Sequence, residues 1–129
     1  MAFEIPGTQY SFVAHADLRT KRYYFVKMDT DAEVDVCSAV TDQPIGILQN
    51  TPNVGEMATV MVNGISKVVA EVNLAKNDPV GTHDNGKADV YAYGTDTTKY
   101  IVGRVLLDNS TADGLATIIF NCIGVGRAT

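Results

Sequence analysis

The chain has 129 residues, 46% of them hydrophobic and 19% charged, with a formal net charge of −5. That composition excludes a disordered chain, and one domain of this length buries enough surface to build a core without staples. The acidic balance argues against a nucleic-acid partner, because such binding neutralises phosphates with Lys and Arg.

Residues 1–20 differ from the rest of the chain. Phe3, Ile5, Tyr10, Phe12 and Val13 are apolar, but Pro6-Gly7-Thr8 interrupts them. This segment reads as an N-terminal arm ahead of a β-rich body at residues 21–129. It either folds back as a strand or reaches across to a neighbour, since a terminus stays mobile unless tied down. The first seven residues lack the basic and apolar regions of a signal peptide. No run approaches the roughly 20 apolar residues of a membrane span. The expectation is a soluble protein made in a cytoplasm, with no membrane partner.

Tyr23 to Met28 is aromatic and β-branched, a strand by composition. Asp29-Thr30-Asp31 reads as a turn. Ala32 to Cys37 alternates, with Glu33 and Asp35 outward and Val34 and Val36 inward, which marks a half-buried strand. Ile45 to Leu48 comes after Pro44 as a short strand. Glu56–Val62 and Ile65–Val72 read as two more strands. Asn63-Gly64 between them signals a two-residue type I′ hairpin, because both residues tolerate positive φ.

That register would place Met57, Thr59, Met61, Ser66, Val68, Ala70 and Val72 on an uncharged core face. It would also leave Ala58, Val60, Val62, Ile65 and Val69 on a half-apolar outer face suited to another subunit. It carries one conflict, since Glu56 would stand opposite Glu71.

Asn73 to Pro79 has room for at most one helical turn, which Pro79 stops. Val80-Gly81-Thr82 is a short strand, Asp84 to Lys87 a tight turn, and Ala88 to Tyr93 another strand. Tyr100 to Leu107 is a strand in which Gly103 marks a bulge or a close backbone approach. After a loop at residues 108–114, Leu115 to Ile123 is apolar on both faces and belongs at the centre of a sheet. A tail containing Gly124 and Gly126 closes the chain. About eight or nine short strands without an amphipathic helix predict an all-β fold, a compact small barrel or sandwich.

Cys37 and Cys122 each lie in an apolar run, where a buried free thiol is the ordinary state. A disulfide remains the alternative, although two cysteines without a secretion signal do not argue for it. His15 and His83 form no metal-spaced pair. The alternation of Asp29, Asp31, Glu33 and Asp35 lacks the glycine of a calcium loop. No phosphate-cradling loop or nucleophile elbow is present. The sequence therefore predicts no catalytic residue, no metal ligand and no cofactor. A pocket formed by His83, Asp84 and Tyr91 would be needed to revive an enzymatic reading.

Several stretches, taken in order, resemble a known family. They are Phe25-Val26-Lys27-Met28-Asp29, Ala39 to Asn50 (AVTDQPIGILQN), Gly55-Glu56-Met57-Ala58, Gly64-Ile65-Ser66-Lys67-Val68, Asn77-Asp78-Pro79-Val80-Gly81, Gly94 to Gly103 (GTDTTKYIVG) and Phe120-Asn121-Cys122. Their order and spacing resemble the small bacteriophage capsid cement proteins, also called head decoration proteins, over about residues 10–127.

The resemblance implies a non-enzymatic, β-rich homotrimer on the capsid exterior of the virion. It would bind the major capsid protein at threefold or quasi-threefold sites of the expanded head and stabilise it. The arm residues Phe3, Ile5, Tyr10 and Phe12 are then candidates for capsid contact, and Val60, Val62, Ile65 and Val69 for a subunit interface. The alternative is another virion module, either a tail or baseplate adaptor or a host-surface-binding protein.

Overall fold

The computed structural model describes residues 2–109 and 113–123. The expected C-terminal tail and the middle of the 108–114 loop lie outside the described residues. The strands, in chain order, are β1 (Ile5–Pro6), β2 (Gln9–Ala14), β3 (Phe25–Thr30), β4 (Glu33–Val36), β5 (Gly46–Leu48), β6 (Met57–Met61), β7 (Asn63–Val69), β8 (Pro79–Thr82), β9 (Ala88–Val90), β10 (Gly103–Leu107) and β11 (Leu115–Asn121). No helix occurs among the described residues. The all-β expectation holds, and β3 to β11 match the strands read from the sequence. The two additional strands, β1 and β2, come from residues 1–20.

The strands form two layers. One is a closed barrel in the order β2-β4-β3-β5-β6, and the other is a six-stranded sheet in the order β1-β7-β11-β10-β8-β9. β11 sits between β7 and β10, at the centre where its apolar run placed it. The core divides accordingly. Val26, Val34, Leu48, Ala58, Val60 and Val62 fill the barrel with Ala14 and Leu18. Phe25, Ile47 and Met61 point the other way and pack with Val68, Val105, Ile118 and Phe120 of the sheet. Strand side chains alternate between faces, so β3, β5 and β6 bury both. This is why Val60-Met61-Val62 reads as a continuous apolar run.

The expected hairpin does not form. β6 pairs with β2 and β5 in the barrel, whereas β7 pairs with β11 and β1 in the sheet. The chain changes layer at Val62, whose N–H donates to the Thr8 carbonyl at 2.9 Å and whose carbonyl accepts the Cys122 N–H at 2.9 Å. Asn63 and Gly64 open β7 instead of turning. Gly64 does take a positive φ of 126°, so the local requirement behind the Asn-Gly signal is real. It serves a close approach: a Cβ on Gly64 would lie 2.6 Å from the Gly7 nitrogen. Since β6 and β7 do not pair, Glu56 and Glu71 never oppose each other. The expected core face survives only in part, with Met61, Ser66, Val68 and Ala70 buried and Met57 53% exposed.

Of the two fates open to residues 1–20, folding back is the one observed. β1 pairs with β7, and β2 pairs with β6 from Gln9↔Met61 to Val13↔Met57. A short parallel contact between β2 and β4 closes the barrel. Two smaller corrections concern turns. β3 runs through to Thr30, and the turn falls on Asp31-Ala32, with Ala32 at a φ of 59°. In place of a helical turn, the chain turns at Lys76-Asn77, with Asn77 at a φ of 70°, and Asp78 accepts the Ala75 N–H at 3.0 Å. Of the two readings of Gly103, the close approach is the one observed, against the Ile119 carbonyl, while the bulge of β10 falls between Val105 and Leu107.

Candidate interaction surface

β11 shows how the sheet is dressed. Ala116, Ile118 and Phe120 are buried against the barrel, while Leu115 and Ile119 on the other face are 42% and 47% exposed. Register extends that outer face sideways. Ile5 stands opposite Ile65, Ile65 opposite Ile119, and Ile119 opposite Arg104. Directly opposed residues project to the same face, so an apolar row crosses three neighbouring strands and ends at an arginine. Leu115 opposite Val69 adds a second apolar pair. Thr117 shares this face but is fully covered, and its hydroxyl accepts the Phe3 N–H at 2.9 Å. The N-terminal segment therefore lies along the outer face.

Of the charges near the row, Lys67 is matched by Glu4, whereas the exposed Arg104 bonds only to a carbonyl. Lys67 Nζ lies 3.7 Å from Glu4 Oε1 and 5.6 Å from the centre of the Tyr23 ring. The Tyr23 hydroxyl donates to Glu4 Oε1 at 3.1 Å. Burial first, and then that bond to a carboxylate, raises the Tyr23 pKa. Arg104 Nη1 donates to the Asn77 carbonyl at 2.9 Å. What the surface offers a partner here is mainly greasy area.

The residues expected at contacts are sorted differently by the structure. Phe3 and Ile5, 37% and 56% exposed, lie with the sheet. Tyr10, 53% exposed, and Phe12, packed on the barrel interior, belong to β2 in the other layer. These four do not form one patch. Val60 and Val62 are 0% and 2% exposed inside the barrel and have no surface to give a neighbour, which corrects their place at a subunit seam. Ile65 and Val69 are half-buried on the outer sheet face, Ile65 opposite Ile5 and Val69 opposite Leu115. Leu115 and Ile119 were missed as surface residues. Their run is apolar on both faces, which suggests burial on both sides, yet the sheet is packed on one side only.

Elsewhere, a cleft of about 420 Å³ is lined by Lys27, Met28, Asp42, Gln43, Pro44, Ile45 and Cys122. Its charges neutralise each other, with Lys27 Nζ 3.2 Å from Asp42 Oδ2. Cys37 and Cys122 are both free and buried. Burial pushes the Cys37 thiol up to about 12 and the Cys122 thiol well above its ordinary range, so neither is a ready nucleophile. His83, Asp84 and Tyr91 do not line the cleft. The Tyr91 hydroxyl donates to the Thr82 carbonyl at 2.6 Å, and burial raises its pKa far above normal. His83 is ringed by Asp89 at 3.0 Å, Asp84 at 3.2 Å and Glu71 at 3.7 Å. Among the described residues no cluster of His, Cys, Asp and Glu is arranged to hold a metal ion.

These features define an all-β protein in which a five-stranded barrel backs a six-stranded sheet. The same fold is found in a solved structure, the N base of head fiber gp8.5 in bacteriophage phi29. The likeness has a TM-score of 0.64 at 15% sequence identity and covers 89% of this chain and 94% of that one. No family model and no curated protein matches the sequence.

Proposed function

We propose that this chain is a bacteriophage head decoration protein, a structural component of the virion without enzymatic activity. In this reading it acts as a homotrimer on the capsid exterior. It binds the major capsid protein at threefold or quasi-threefold sites of the expanded head and stabilises the shell. The observation that carries the reading is the fold shared, over nearly the whole of both chains, with the base of a phage head fiber. The order of the sequence stretches that resemble cement proteins supports it independently.

The outer face of the sheet, with Ile5, Ile65, Leu115 and Ile119, is the surface we assign to shell contact. It joins two groups that the sequence kept apart, Phe3 and Ile5 from the N-terminal segment and Ile65 and Val69 from β7. Many equivalent sites on one shell let a modest affinity per site suffice through multivalency. The test is to incubate the purified protein with expanded heads and image them. Extra density at threefold or quasi-threefold positions is the expected result. Heads left bare while tails or baseplates acquire density would move the protein to a different virion role.

A further inference from the structure

His15 comes directly after β2, at the place where the barrel closes. β2 and β4 run parallel there and share only two register pairs, Val13↔Glu33 and Ala14↔Val34. The Val13 N–H donates to the Ala32 carbonyl at 3.1 Å and the His15 N–H to the Val34 carbonyl at 2.8 Å. By contrast, β2 and β6 share five register pairs on the other side. The parallel seam is thus the thinner of the two attachments of β2.

Both ring nitrogens of His15 face carboxylates across this seam. Nε2 lies 3.0 Å from Asp29 Oδ2 of β3, and Nδ1 lies 2.9 Å from Glu33 Oε1 of β4. The Thr30 hydroxyl also donates to Glu33 Oε1 at 2.6 Å, fixing that acceptor. Asp29 falls at the irregularity between Met28 and Thr30 in the β3–β4 ladder. A bulge re-aims a side chain, and here the carboxylate meets His15. Asp35 of β4 adds a third negative charge nearby. Lys27 stands opposite Asp35 in the β3–β4 register, but its ammonium goes to Asp42 at 3.2 Å, and among the described residues no lysine or arginine makes an ion pair with Asp29, Glu33 or Asp35.

A neutral imidazole has one N–H and one lone pair, so it can satisfy only one of two carboxylates. The imidazolium satisfies both. We propose that protonated His15 is a pH-operated latch on the closing seam of the barrel, clamping β2 to β3 and β4 and releasing them as the solution becomes alkaline. The inference does not depend on the function assigned above.

The direction is set by the facing groups Asp29, Glu33 and Asp35, all of which are carboxylates. The bond to Glu33, and then the fields of Asp29, Glu33 and Asp35, outweigh desolvation and raise the His15 pKa above 6.5. A raised folded value gives a contribution that is complete below the unfolded value and is lost as pH rises through the folded one. The latch therefore holds in mildly acidic solution and weakens above pH 6.5.

The test is amide hydrogen exchange by NMR on the full chain from about pH 5.5 to about pH 8.5, corrected for intrinsic rates, with the His15 ring resonances followed alongside. Protection at the Val13 and His15 amides should fall at least about twofold as the His15 ring loses its proton, with a midpoint above 6.5. In His15→Gln the protection of both seam amides should not vary with pH, while His83→Gln should behave like the parent. Should His15→Gln fail to fold, Asp29→Asn supplies the check, and it should lower the His15 midpoint. Flat protection in the parent, persisting pH dependence in His15→Gln, a midpoint below 6.5, or an unmoved midpoint in Asp29→Asn would each overturn the latch.

Discussion

Ile119 of β11 stands directly opposite Ile65 of β7 on the face of the sheet turned away from the barrel. Ile119 is 47% exposed although it lies on a central strand. Its neighbours Ala116, Ile118 and Phe120 supply the packing that holds the strand. Ile119 is therefore free to serve contact with another molecule at little cost to the fold.

The first expectation contrasts that residue with Val60. Replacing both Ile119 and Leu115 with Thr keeps β-branched or strand-tolerant side chains on an open face, and should cost less than about 1 kcal/mol of stability. Val60→Asp places an unpaired carboxylate in the barrel interior and should abolish folding, because burying such a charge costs several kcal/mol. Thermal melts of the variants check both. A folded Val60→Asp chain with altered association would instead return Val60 to a surface role.

Gly64 is the next site. Replacement by Val meets a positive φ of 126° and the Gly7 nitrogen 2.6 Å from the new Cβ. Strain of the backbone alone is worth roughly 1 kcal/mol or more, and the clash with main chain adds to it. Urea denaturation should show a loss of that size or greater. An unchanged midpoint would mean that β1 and the Gly7 region do not press on β7.

Removing residues 1–12 takes away β1 and most of β2. The barrel then loses one side of its closure and exposes Ala58 and Val60. The truncated chain should lack cooperative unfolding and should be cut rapidly by proteases. A truncated chain that melts as sharply as the parent would show that the segment is an appendage after all.

Acid should weaken the loop at residues 38–42. Asp42 is partly desolvated, which raises its pKa, but N–H bonds from Ser38 at 2.8 Å and Ala39 at 3.0 Å, with Lys27, win and lower it overall. A lowered folded value gives stability that is present above the ordinary aspartate value of 3.8 and is lost as pH falls through the folded one. Asp42→Asn should therefore close part of the stability gap between pH 5 and pH 3 measured in denaturant. An identical pH profile in the variant would assign that acid sensitivity to other carboxylates.

Much of the fold was legible because strand periodicity is local. Val34 and Val36 against Glu33 and Asp35, and the central position of β11, could be read from side-chain pattern alone. What escaped was the partner of each strand. Asn63-Gly64 carries the signal of a hairpin, yet whether a positive φ makes a turn or admits Gly7 is decided by a segment far away in the chain. Val60 and Val62 looked like a second, exposed face because one strand can be buried on both sides only if two layers exist. The interaction surface was half legible. Ile5, Ile65 and Val69 were picked out for their apolar character, but the register that sets Ile65 opposite Ile119 and Val69 opposite Leu115 is long-range, and no local pattern encodes it.

In the proposed function the outer sheet face docks onto a phage head. The most direct measurement is co-sedimentation of the purified protein with expanded heads, comparing the parent with the Ile119→Thr, Leu115→Thr double variant. The account predicts saturable binding by the parent and a loss of about tenfold or more in apparent affinity for the folded variant, since a few central apolar residues carry most of the binding energy of such a patch. Equal binding by the two, or no binding by the parent, would contradict it.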